Sequence, residues 1–213
     1  MLKLTNVKKQ YHANPIIEIP SLQLESGIYW LSGANGAGKT TLLKMIAALL
    51  PFEGDITFNN ISLKGQPIMY RQQVGWAEAE PLFPAFITGK DLVSLYRKIR
   101  NVEQKDLDNL LGLFDITTYS NDAIGTYSAG MTKKLSLVLA LLGNPPLIVL
   151  DEPLITLDAV ATKTVTNFIL DMNKTTGCSF LMSSHQDLQE EVAIAGKRLT
   201  IHNRTIIVDG ASV

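Results

Sequence analysis

Apolar and polar positions alternate at the start of the chain. Leu2, Leu4 and Val7 predict a strand over residues 1–7, and Ile17, Ile19, Leu22 and Leu24 predict a second over residues 16–24. Alternation of this kind suits a sheet with one face in water. Residues 27–32 form a short apolar strand that runs into a glycine-rich loop at 33–38, and residues 40–50 then carry helical spacing up to Pro51. Further strands are predicted over 55–63 and 74–77. Residues 88–100 and 102–114 place apolar side chains at helical spacing, with Thr88 and Asn101 as the expected N-caps, and an apolar helix is expected over 135–142. From Leu147 the pattern changes again, to a fully apolar strand at 147–150, a helix at 159–173, a buried strand at 179–183, a short helix, and closing strands at 198–202 and 205–208. This order predicts a single α/β domain over residues 1–213, with core segments 1–81 and 144–213 and a helical insertion at 82–143.

Composition narrows the class. Of the 213 residues, 46% are apolar and 18% charged, with Lys+Arg 19 against Asp+Glu 20, which describes a globular chain with no surplus of positive charge. No basic run is present, so nucleic acid is not an expected partner. The lone cysteine, Cys178, excludes an internal disulfide framework and fits a reducing compartment. The longest apolar stretch, 135–150, is interrupted by Ser136, Gly143, Asn144, Pro145 and Pro146 and is no candidate for a membrane span. The amino terminus lacks the apolar centre of a secretion signal. A cytoplasmic location is expected, with any membrane association made through another chain.

Two motifs carry chemistry. Gly33, Ala34, Asn35, Gly36, Ala37, Gly38, Lys39 and Thr40 match the pattern of glycine, four residues, glycine, lysine, then serine or threonine. Glycines let the backbone curl so that successive N–H groups face phosphate oxygens, and the following helix presents its positive end. Lys39 reaches the terminal phosphates, Thr40 is the expected Mg²⁺ ligand, and Thr41 follows in the same turn. The second motif is the strand 147–150, which ends in Asp151 and Glu152. Carboxylates at the C-terminal edge of a buried strand stand where open α/β sheets bind ligands; the first can hold Mg²⁺ through water and the second can orient or deprotonate an attacking water. Alone, an Asp-Glu pair there is equally a strand terminus and helix cap.

Together these motifs resemble those of the ATPase subunit of an ATP-binding-cassette (ABC) transporter, over nearly the whole chain. Tyr127, Ser128, Ala129, Gly130 and Met131 resemble the family signature, commonly Leu-Ser-Gly-Gly-Gln. Leu157 and Asp158 resemble its D-loop, His185 its switch histidine, and Tyr11 the aromatic that stacks on adenine. The resemblance implies a P-loop NTPase core with an antiparallel β edge and an inserted helical subdomain. It implies ATP and Mg²⁺ as ligands, with Glu152 and His185 catalytic and Thr40 and Asp151 on the metal. It also implies a head-to-tail pair, a homodimer or two paired ABC subunits, in which Ser128 and Gly130 of one chain complete the site of the other. Integral membrane transporter subunits are the implied partners, with the chain peripheral on the cytoplasmic face. A soluble ABC ATPase without a membrane partner and an ATP-binding module with weak hydrolysis are the alternatives.

One segment departs from the family. After strand 74–77 the family places a Pro-Gln pair whose glutamine contacts Mg²⁺ and the attacking water; this chain has Glu78 and Ala79, followed by Glu80. Either Glu78 or Glu80 supplies a carboxylate instead, or the contact is missing and turnover is slow, the outcome favoured here because a carboxylate adds negative charge beside the γ-phosphate. Next to it Leu82, Phe83 and Phe86 form an apolar, Pro-bounded stretch expected to border a docking groove for a membrane subunit.

Overall fold

The computed structural model describes residues 1–184 and 196–208. Short apolar runs become strands buried on both faces, and these organise the rest. In the larger sheet β3 (Ile28–Ser32), β6 (Val74–Ala77), β7 (Leu147–Leu150), β8 (Ser179–Ser183), β9 (Lys197–His202) and β10 (Thr205–Val208) lie in the order β10-β9-β3-β8-β7-β6. All its pairings are parallel except that of β10 with β9. Side chains alternate between two cores. Ile28, Trp30, Ile148, Leu150, Phe180 and Met182 face one hydrophobic cluster, while Tyr29, Leu31, Leu147, Val149 and Leu181 face the other. The smaller, antiparallel sheet orders β2 (Asn14–Leu24), β1 (Leu2–Tyr11), β4 (Glu53–Phe58) and β5 (Ile61–Ser62), and its inward residues Leu2, Leu4, Val7, Ile17 and Ile19 close the second cluster over α1 (Lys39–Ile46).

Between β6 and β7 the chain forms α3 (Gly89–Arg100), α4 (Gln104–Leu113) and α5 (Ala129–Leu141). Thr88 caps α3 as expected, accepting from the Asp91 N–H at 3.1 Å while Asp91 accepts from the Thr88 N–H at 3.2 Å. From Lys133 onward α5 is almost wholly buried, so it anchors the helical layer to the sheet. It lies so close to β6 that a Cβ on Gly75 would run into the Ala140 carbonyl. The start of β6 is tied to α3 as well: the Arg100 guanidinium donates to the Gln72 and Val74 carbonyls at 3.0 and 2.6 Å.

Five local expectations need correction. Residues 55–63 are two strands, not one, because Asn59 and Asn60 both adopt positive φ (48° and 64°) and turn the chain into a hairpin pairing Thr57 with Ser62. Asn101 is not the N-cap of α4 but the left-handed C-cap of α3 (φ 53°), and Glu103 takes the N-cap position. The helix after the loop ends at Ile46 rather than residue 50, with Ala48 at φ 61°. The helix expected at 135–142 begins at Ala129 and ends at Leu141. A short helix, α2 (Pro67–Gln72), was not legible; its signal is the proline at its first position. Finally, α6 (Ala159–Thr176) runs three residues beyond the expected 173 and stops at Gly177 in the left-handed conformation.

Candidate functional site

The loop after β3 and the acids after β7 open on the same sheet edge, with β8 between them. Gly38 is the N-cap of α1 at φ 99°, and a Cβ there would sit 2.9 Å from the Ile16 Cγ2, so only glycine fits both the conformation and the space. No acidic residue stands in the first turn of α1, leaving its N–H groups and positive end unopposed. The Lys39 ammonium is buried and donates to the Gly33 and Ala34 carbonyls at 2.8 and 3.2 Å. Burial pulls its pKa down, and the charges of Glu152 and Asp151 oppose that shift. Thr40 is exposed at the start of the helix.

A cleft of about 670 Å³ is lined by Tyr11, Ile16, Asn35, Gly36, Gly38, Lys39, Thr40 and Thr41. The structure thus brings the tip of β1, 22 or more positions before the loop in sequence, to the same cavity as the loop. Tyr11 is partly exposed there, and the Lys9 ammonium lies 5.0 Å from its ring centroid while donating to the Pro51 carbonyl at 2.7 Å. One ring face is therefore covered by a cation.

At the other end of the edge, Asp151 is 1% exposed. The Ser183 hydroxyl, at the end of β8, donates to its Oδ1 at 2.6 Å and accepts from the Glu152 N–H at 3.0 Å. Ser183 was not singled out in the sequence; its only signal was a polar residue closing a strand with an apolar middle. Glu152 takes a left-handed conformation, φ 48°, where the chain turns away from the strand. Among the described residues Asp151 Oδ2 has no hydrogen-bond partner. A buried carboxylate oxygen without a donor, on the same sheet edge as the phosphate loop, fits a hard cation and its water shell. No group of three or more His, Cys, Asp or Glu is arranged for a metal among the described residues.

The signature residues lie apart from this cleft. Ser128 caps α5, accepting from the Met131 N–H at 3.2 Å, and Gly130 lies so near the Thr156 carbonyl that a Cβ would stand 3.0 Å from it. Tyr127, where the family has leucine, donates to the Tyr119 carbonyl at 2.9 Å and packs edge-on against the Tyr119 ring. Asp158 caps α6, its Oδ1 accepting from the Ala161 N–H at 2.7 Å. His185 lies outside the described residues, as does the short helix expected after β8. Of the two carboxylates weighed for the missing glutamine, Glu78 pairs with Lys44 of α1 and Glu80 is exposed. The surprise is Lys133, which is fully buried and donates to the main-chain carbonyls of Glu78, Ala79 and Asp151.

The sequence profile of the family described as ABC transporter matches residues 18–155. The chain belongs to this family. It is 28% identical over 212 residues to the uncharacterized ABC transporter ATP-binding protein YhcH of Bacillus subtilis, covering 98% of this chain and 69% of that one. To the ABC transporter ATP-binding protein NatA of the same organism it is 31% identical over 200 residues, covering 90% and 80%. A solved ATP-binding subunit of an ABC transporter superposes with a TM-score of 0.86 at 24% identity, covering 97% of this chain and 88% of that one. A dimeric ATP-binding cassette solved in a post-hydrolysis state with ADP and Pi superposes with a TM-score of 0.82 at 20% identity, covering 97% and 96%. The fold is thus that of an ABC ATPase: an α/β core with an antiparallel sheet and helices inserted between β6 and β7.

The brace at the carboxylates yields a test. Ser183→Ala removes both of its hydrogen bonds without changing the apolar packing of β8, and should lower stability by about 1–3 kcal/mol while reducing ATP turnover more than ATP binding. Thermal unfolding and steady-state hydrolysis measured on the same preparation decide it; turnover equal to that of the unaltered chain would remove Ser183 from the site.

Proposed function

We propose that this chain is the ATP-binding and hydrolysing subunit of an ABC transporter and drives separate membrane-spanning subunits. The observation that supports this best is the convergence, on one sheet edge, of the phosphate loop with Asp151 and Glu152, the latter pair braced by Ser183. ATP would stack its base on the face of Tyr11 opposite Lys9 and place its phosphates along residues 33–41. Lys39 would then exchange the Gly33 and Ala34 carbonyls for β- and γ-phosphate oxygens. Thr40 and Asp151 would hold Mg²⁺, which when bound would supply positive charge to offset that of the β- and γ-phosphates. Glu152 orients and deprotonates the attacking water, and His185 is assigned to the γ-phosphate by its position in sequence.

Ser128 and Gly130 do not line the cleft of their own chain. The exposed Ser128 and half-buried Gly130 at the start of α5 support a head-to-tail pair in which each signature meets the nucleotide of the other chain. Among the described residues no helix is long and apolar enough to cross a membrane, so partnership with transporter subunits requires a docking face. Leu82 and Phe86 are 92% and 85% exposed while Phe83 packs against the helical core, which supports the stretch after β6 as that face. The chain spans about two thirds of the length of several curated relatives, 69% of YhcH and 66% of the linearmycin resistance ATP-binding protein LnrL. The transported substrate is left to the membrane subunits.

Three measurements test this reading. Lys39→Ala should reduce ATP affinity by at least about tenfold, whereas Glu152→Gln should bind ATP as the unaltered chain does, turn over at least about 100 times more slowly, and elute as a dimer with ATP. Rapid hydrolysis by Glu152→Gln would take the base away from that residue. Ala79→Gln restores an amide where the family has glutamine, and is expected to raise turnover at saturating Mg·ATP by about threefold or more; Glu80→Ala, acting on an exposed side chain, should leave it within a factor of about two. A collapse on Glu80→Ala would instead place a carboxylate on the metal. For docking, a cysteine at Leu82 should crosslink to a copurified membrane subunit and one at Ile207, on the closing strand, should not; equal crosslinking would reject the surface.

A further inference from the structure

Lys133 is the one fully buried charged side chain among the described residues that belongs to no phosphate- or metal-binding motif. Its ammonium has three hydrogens, and the structure gives it three acceptors, all main-chain carbonyls: Glu78 at 2.8 Å, Ala79 at 2.8 Å and Asp151 at 3.3 Å. A buried ammonium is retained only where its hydrogen bonds are all made, so this is a built contact. The three carbonyls extend from the C-terminal ends of the adjacent strands β6 and β7, which are joined just there by the Asp151 N–H donating to the Ala77 carbonyl at 2.9 Å. At the other end of β6 the Arg100 guanidinium holds the Gln72 and Val74 carbonyls. The inserted helices therefore grip β6 at both ends with cations, α3 behind it and α5 in front.

Lys133 stands about a turn and a half along α5 from its N-cap Ser128. The helix between them is continuous, so a shift at Ser128 or Gly130 is carried to Lys133. We propose that Lys133 is a positioning residue that links the signature end of α5 to the main chain of Asp151 and of Glu78–Ala79. Contact of the signature with a second chain is thereby relayed to the hydrolytic carboxylates through backbone carbonyls. Ala79 has no side chain with which to make such a link, and Lys133 grips its carbonyl. The inference rests on the ATPase reading above and adds to it the route by which helical layer and catalytic edge move together.

The test uses the full chain with Lys133→Met, which keeps the length and removes the donors, and Lys133→Gln, which keeps two. Hydrogen exchange by mass spectrometry follows the amides around Ala77 and Asp151. Equilibrium binding of a fluorescent ATP analogue and steady-state hydrolysis follow nucleotide. Lys133→Met should exchange about tenfold faster over 150–152, bind the analogue within about threefold of the unaltered chain, and lose about tenfold or more in kcat with KM nearly unchanged. Lys133→Gln should recover most of both losses. Unaltered exchange and kcat in Lys133→Met would overturn the proposal. So would failure of both variants to fold, or equal losses in affinity and kcat, since these mark a residue needed only for packing. If the unaltered chain itself does not hydrolyse ATP, the ATPase reading fails, and the exchange comparison still decides whether Lys133 holds the two strand ends.

Discussion

Burial of β3, β8 and β7 on both faces is the constraint on which the rest of the structure depends. A strand with no wet face can place polar groups only at its ends, so the chemistry is pushed to the C-terminal edge, where each strand emerges. Polar groups at that edge need partners close by, because the middle of each strand behind it is apolar. Ser183 serves Asp151 and Glu152 together, and Lys133 takes the carbonyls of the neighbouring strand ends. The loop at 33–38 solves the same problem with its own backbone, turning Lys39 onto the Gly33 and Ala34 carbonyls.

Period-2 alternation in these strands also explains why two cores can coexist in so small a chain. Ile148 and Leu150 pack toward the helices while Leu147 and Val149 pack toward α1 and the antiparallel sheet. A one-residue register slip would exchange the two sets, but since both faces are apolar, hydrophobicity alone does not forbid it. What pins the register is polar: Asp151 must meet Ser183, and its N–H must meet the Ala77 carbonyl. The two carboxylates and the strand register are thus held by the same few hydrogen bonds.

This division decides what could be read in advance. Strands β3, β6, β7 and β8 were legible because short apolar runs bounded by polar residues have few alternatives, and the phosphate loop was legible because its glycines, lysine and threonine follow one another in sequence. The Asn59–Asn60 hairpin was hidden because asparagine reads equally as a polar strand position until both φ angles are seen to be positive. Asn101 sat between two helices, and sequence could not say which of them it closes. Ser183 and Lys133 were hidden for a deeper reason. Each acts through partners 31 or more and 18 or more positions away, and a lysine in a helical pattern reads as a solvated side chain.

The charges at the edge form an alternating set, which bears on the missing glutamine. Lys39 and Lys133 both feel the field of Asp151 and Glu152, and burial holds the pKa of Lys133 down to about 8 against the opposing pull of those carboxylates and of Glu78 and Glu80. Asp151 and Glu152 thus lie in the field of two cations, and a further carboxylate among them would add negative charge with no additional counter-charge. Glu78 is paired with Lys44, and Glu80 is exposed. The segment after β6 is joined to Lys133 by its carbonyls, because a carbonyl can satisfy the buried ammonium without adding a net negative charge beside Asp151 and Glu152.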